Sequence, residues 1–136
     1  MGLTVLDASI LIAVLDAGDA HHAAARAGLA ARLEAGDTFA VPVSAYAETL
    51  VGAFGQGEEA AATVDEFIGA LPARIESATA AIGRGAARLR AEHGTRLKLP
   101  DAFVVATAQQ LGADRVLTAD QRWPRLDVVV EVLRSS

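Results

Sequence analysis

The chain has 136 residues, enough for one domain with a substantial core. Hydrophobic residues make up 52% and aromatics only 4%, so that core must be built from Ala, Val, Leu and Ile. The lack of cysteine excludes a disulfide framework, a thiolate metal site and a cysteine nucleophile, and a net charge of −5 argues against holding nucleic acid by bulk positive charge.

The first stretch, Leu3 to Leu15, reads as a short apolar strand that delivers Asp7 to its tip and turns directly into an apolar helix. An isolated carboxylate there must be hydrogen-bonded, paired or bound to a cation, because a lone buried charge is prohibitively costly. Two roles are open for it: a cap for the following helix, or a site ligand. No basic flank precedes this run, and Asp7 and Asp16 interrupt it, so neither a signal peptide nor a membrane-spanning helix is expected. Together with the missing cysteines, this makes a reducing cytoplasm the expected setting.

Asp19 is a candidate cap for a helix over 21–33, with Ala24, Ala27, Ala31 and Leu33 expected inward. His21 and His22 are adjacent, share no helix face and are expected to be solvated. Gly36 closes the helix, and Thr38 to Pro42 reads as a second strand. A helix to about Phe54 follows, with Ser44 as its expected cap and Val43, Ala47, Leu50, Val51 and Phe54 as its apolar stripe. Glu48 lies one turn inside it. Further elements are expected as a helix over 58–71, a strand over 73–76 and a helix over 78–92. A helix over 102–111 begins behind Pro100-Asp101, and strands over 114–118 and 128–133 complete the chain. The alternation predicts one α/β domain over residues 1–136 with a mostly parallel sheet of four to five short strands.

In an open parallel sheet, ligands bind at the carboxyl ends of the strands. Asp7 and Asp120 fall at or just past such ends, while Glu48 lies one turn into its helix and Asp101 at the N-terminus of another. Four carboxylates at one sheet edge would repel one another unless a divalent cation joined them, and all-oxygen ligation suits Mg²⁺ or Mn²⁺. Each acid also has an ordinary reading, as a cap, a turn residue or a surface glutamate. The segment holding Arg84, Arg88, Arg96 and Lys98 is the densest basic stretch, and it leads into Asp101; it is a candidate for phosphate contacts or simply a solvated face.

Four ordered pieces carry a family resemblance: Val5-Leu-Asp7-Ala-Ser9, Val43-Ser-Ala-Tyr-Ala-Glu48, Leu99-Pro-Asp101-Ala-Phe, and Leu117-Thr-Ala-Asp120 with Trp123 behind it. In this order the chain resembles the PIN-domain ribonucleases, and among them the VapC-type toxins of bacterial toxin–antitoxin pairs. The resemblance implies a three-layer α/β/α sandwich in which Asp7, Glu48, Asp101 and Asp120 hold Mg²⁺ or Mn²⁺, with Ser9 and Thr118 as supporting hydroxyls. It further implies hydrolysis of RNA phosphodiesters by metal-activated water, a homodimer, and a VapB-type antitoxin partner that blocks the acidic site. Trp123 departs from the phenylalanine commoner at its place, a change bearing on packing more than on chemistry. The rival readings are a non-catalytic RNA- or protein-binding module on the same fold and a metal-dependent small-molecule phosphatase. The intact quartet argues against the first; Ser9 in place of a second aspartate argues against one large phosphatase family.

Overall fold

The central strands are short and nearly continuous in apolar residues, which is what a strand buried on both faces requires. In the computed structural model, which describes residues 1–134, β1 (Leu3–Leu6) and β4 (Arg115–Thr118) lie side by side at the centre of the sheet. β2 (Thr38–Pro42) flanks β1, and β3 (Ala73–Glu76) and β5 (Val130–Val132) form the edges. The order is β3-β2-β1-β4-β5, and every pairing is parallel. The expected parallel α/β architecture is thus observed. The expected domain extends to Ser136, and residues 135–136 lie outside the described residues.

Helices α1 (Ala8–Leu15) and α2 (His22–Glu34) connect β1 to β2, and α3 (Val43–Phe54) and α4 (Glu58–Ala70) connect β2 to β3. Both steps move the same way across the sheet. The connection from β3 to β4, through α5 (Ala80–His93), a short 3₁₀ turn (Gly94–Arg96) and α6 (Leu99–Leu111), moves back past β1. Right-handed crossovers therefore put α1 to α4 on one face and α5 and α6 on the other. The chain's direction reverses between β1 and β4, so a crevice opens at their carboxyl ends.

Val5, Leu6, Phe39, Val41, Val116 and Leu117 are almost fully buried in the sheet, against Ile10, Leu11, Val104 and Val105 from the helices. At the amino-terminal edge, opposite the crevice, Asp37 is buried and accepts hydrogen bonds from Thr4 Oγ1 and Arg115 Nη1, both at 2.7 Å, with Arg32 at 3.6 Å. These three groups outweigh the cost of burial and hold its pKa below the ordinary carboxylate value. Among the described residues no helix is long and apolar enough to cross a membrane.

Several local expectations need correction. In α2 the inward residues are Ala25 and Leu29, whereas Ala27, Ala31 and Leu33 are exposed. In α3 they are Ala45 and Thr49; Val51 and Phe54, assigned to the buried stripe, are 74% and 53% exposed. Thr49 can take an inward position because the Ala45 carbonyl accepts from its hydroxyl at 2.8 Å, so no polar atom is left unpaired there. Ser44 is not the cap of α3; Pro42 occupies that position, without a side-chain cap bond. Asp19 accepts from the His21 amide at 2.8 Å in a turn ahead of α2, and His21 takes the cap position. The two histidines are half-buried and not solvated, with His22 Nδ1 2.7 Å from the Ala13 carbonyl. Helices α5 and α6 start at Ala80 and Leu99, and Thr79 caps α5 by accepting from the Ile82 amide at 3.2 Å.

Candidate active site

Asp7 follows β1 directly, and its amide donates to the Leu117 carbonyl of β4 at 3.1 Å, which continues the ladder one residue past the strand. It stands at the cap position of α1, yet its side chain makes no cap bond. Instead Oδ2 accepts from Ser9 Oγ at 2.7 Å and from Thr118 Oγ1 at 2.8 Å. These hydroxyls are themselves held in place: Ala119 N donates to Ser9 Oγ at 2.9 Å and Asp120 N donates to Thr118 Oγ1 at 3.0 Å. The first turn of α1 and the last residue of β4 are thus joined around one carboxylate. Ser9 and Thr118 are both in hydrogen-bond contact with Asp7.

Asp7 is 4% exposed, and burial pushes its pKa up, with the Ser9 and Thr118 hydroxyls opposing and the charge of Asp120 adding to the rise. Asp101 lies in the first turn of α6, behind Pro100, where the helix dipole favours an acid. Its pKa is raised to about 6, first by burial and then by the charges of Asp7, Asp120 and Glu48. Glu48, in the second turn of α3, is solvent-exposed, and its pKa is raised by desolvation and by Asp7. All four predicted acids therefore line one crevice of about 270 Å³, together with Ser9, Ile12, Pro100, Lys98 and Arg122.

Arg122 was not expected at the site. Its Nε and Nη2 fork onto the two carboxylate oxygens of Asp120 at 3.1 and 3.2 Å, and its amide donates to Oδ1 at 2.8 Å. Burial would raise the pKa of Asp120, but these bonds and the charges of Arg122 and Lys98 hold it below its ordinary value. The spacing Asp120-Gln-Arg122, which lets the side chain fold back over one turn, is the signal available in the sequence. Trp123 also does more than fill space. Its indole Nε1 is buried with no ordinary hydrogen-bond partner, yet it stands near enough to Asp101 to favour the ionised carboxylate.

Of the four basic candidates, only Lys98 lines the crevice. Arg96 ends the 3₁₀ turn, and Arg84 and Arg88 border a separate shallow depression on α5 with Ala80 and Ala87.

The donor chemistry fits a hard divalent cation. Four carboxylates share one crevice, and burial, with the charges of the other three added to it, raises the pKa of Asp101 to about 6, a conflict that a cation relieves. As the side chains stand, no three of the described acids are gathered closely enough to hold an ion. Glu48 points to solvent and Asp120 is engaged by Arg122.

A family model described as PIN domain matches residues 4–129. No curated protein matches the chain. Among solved structures, a toxin–antitoxin complex from Klebsiella pneumoniae is 25% identical over 94% of this chain and 96% of that one, with a TM-score of 0.68. VapBC-5 from Mycobacterium tuberculosis, a toxin–antitoxin system member, is 25% identical over 98% and 99%, with a TM-score of 0.64. VapC20 of the same organism, a toxin that cleaves the sarcin-ricin loop, is 24% identical over 83% and 86%, with a TM-score of 0.67.

Proposed function

The chain belongs to the PIN domain family, and on that premise we propose that it is a VapC-type toxin: an Mg²⁺- or Mn²⁺-dependent endoribonuclease restrained by a VapB-type antitoxin. The observation that carries the reading is the convergence of Asp7, Glu48, Asp101 and Asp120 on one crevice at the β1/β4 reversal. A binding module has no need of four mutually repelling acids in one crevice. The domain acts as a homodimer in the cytoplasm, as the family reading implies.

Asp7, Glu48, Asp101 and Asp120 are the residues that would hold the ion. When bound, a divalent ion there activates water and neutralises charge on the phosphoryl group. Asp7 is the fixed point, because Ser9 and Thr118 leave its carboxylate no freedom to turn. Glu48 sits at the open side with a raised pKa, suited to accept a proton from the attacking water. Lys98, at the rim, supplies a positive charge for the RNA backbone, and Arg84 and Arg88, on a separate depression of α5, offer a second place for phosphate contacts.

The antitoxin surface is best placed on the groove of about 350 Å³ between α1, α3 and α4, lined by Ile12, Leu15, Ala53 and Val64. Val51 and Phe54 of α3 add exposed apolar area, and a surface of this kind is a common mark of a partner.

Incubation of the purified chain with total cellular RNA and Mg²⁺ or Mn²⁺ tests the reading. Discrete fragments are expected, and they should vanish with EDTA and in Asp7→Asn. A well-folded, antitoxin-free chain that cuts nothing, or cleavage that survives Asp7→Asn, would overturn it.

A further inference from the structure

Two cations line the acidic crevice, and they are placed differently. Lys98 acts on Asp120 through space, whereas Arg122 grips it with both arms of its guanidinium. The Arg122 side chain is nevertheless 80% exposed, and Asp120 is the sole partner it has among the described residues. An exposed pair of this kind is weakly held. With the Arg122 amide also on Oδ1, the fork leaves one lone-pair position, on Oδ2, so a cation competes with Arg122 for Asp120. A released guanidinium at the mouth of an acidic crevice is matched, in shape and charge, to a phosphodiester oxygen pair.

We propose that Arg122 exchanges between Asp120 and the RNA backbone: it neutralises Asp120 when no ion is bound and grips a substrate phosphate once an ion takes that carboxylate. This rests on the nuclease reading and adds to it a residue with two opposed duties. Arg122 weakens metal binding and strengthens RNA binding, and the two effects separate in the variants.

The experiment compares the wild-type chain with Arg122→Gln and Arg122→Lys. Mn²⁺ binding without RNA is read from the electron paramagnetic resonance of the free ion. RNA binding at saturating Mn²⁺ is read by fluorescence anisotropy with a short labelled oligonucleotide of mixed sequence, checked for intactness on a gel. Arg122→Gln is expected to tighten Mn²⁺ about two- to fivefold, the range an exposed ion pair is worth. The same variant should weaken RNA binding and make its log–log salt dependence shallower by about one. Arg122→Lys keeps the charge but loses the fork, so it should keep most of the RNA affinity while still tightening Mn²⁺. If Lys matches Arg in Mn²⁺ affinity, long-range repulsion explains the effect and the exchange is overturned. It is equally overturned if Arg122→Gln moves both affinities in the same direction or leaves either unchanged. A wild-type chain that binds no Mn²⁺ overturns the nuclease reading along with it, whereas binding that ignores Arg122 overturns the exchange alone.

Discussion

Replacing Asp101 by asparagine removes one negative charge from a crevice shared by four acids, and the structure says what that charge costs. Its carboxyl is raised from 3.8 to about 6, by burial first and by Asp7, Asp120 and Glu48 after it. A difference of this size corresponds to ~3 kcal/mol against the ionised form at pH 8. Partial exposure and screening reduce this to about 1–2 kcal/mol. The first-turn position returns ~0.5 kcal/mol through the helix dipole. The variant should therefore be more stable than the wild type by about 1 kcal/mol at pH 8 in EDTA, or roughly 3 °C in Tm for a chain of this length.

The sign with pH follows from the same shift. The folded pKa lies above the unfolded one, so between pH 3.8 and about 6 the folded wild type binds more protons, and its stability falls as pH rises through that window. The advantage of Asp101→Asn should be complete above pH 6 and vanish near pH 4. Excess Mg²⁺ should reverse the order, since at a hundredfold excess over Kd a bound ion stabilises the wild type by about 2.7 kcal/mol and the variant by less. Urea denaturation at pH 4 and pH 8, with EDTA and with Mg²⁺, reads all four cases. A variant less stable at pH 8 in EDTA, or a gain equal at both pH values, would refute the reasoning.

Thr118→Val keeps the shape of β4 but takes away one of the two hydroxyls on Asp7; the Mg²⁺ concentration giving half-maximal cleavage should rise about tenfold. Asp37→Ala, at the opposite sheet edge, leaves Arg115 without its carboxylate and with only Thr4 Oγ1 at 3.1 Å; it should cost about 3 kcal/mol in urea denaturation while cleavage per folded molecule stays unchanged. The contribution of Asp37 is present at neutral pH and should be lost as pH falls below 3.8, because its folded pKa is lowered. Trp123→Phe removes a buried N–H that has no ordinary partner, so stability should stay within ~1 kcal/mol; the carboxyl of Asp101, followed by NMR titration, should titrate higher still.

The sequence is informative where a local signal and a tertiary demand coincide. Asp7 is one such place: a carboxylate after an apolar strand had to be satisfied, and Ser9, two residues on, is half of the answer. It failed in phase on α2 and α3, where Ala and Thr can face either side of a helix at little cost. The Val51 and Phe54 pair, counted as core, lies outside for that reason. Trp123 shows another limit, since a substitution read as packing also lowers the pKa of the Asp101 carboxyl against the rise that burial imposes.

By itself the sequence determined the order of the elements and the position of each acid at an element end or, for Glu48, one turn into a helix. Apolar runs broken by Gly, Pro and charged residues have their period and punctuation built into the chain. Only the tertiary structure decided which acids feel one another, because Asp7 and Thr118 are 111 residues apart and meet solely through the β1/β4 pairing. It also decided that the Asp120–Arg122 pair lines the acidic crevice, since β4 beside β1 sets the turn that holds both next to Asp7.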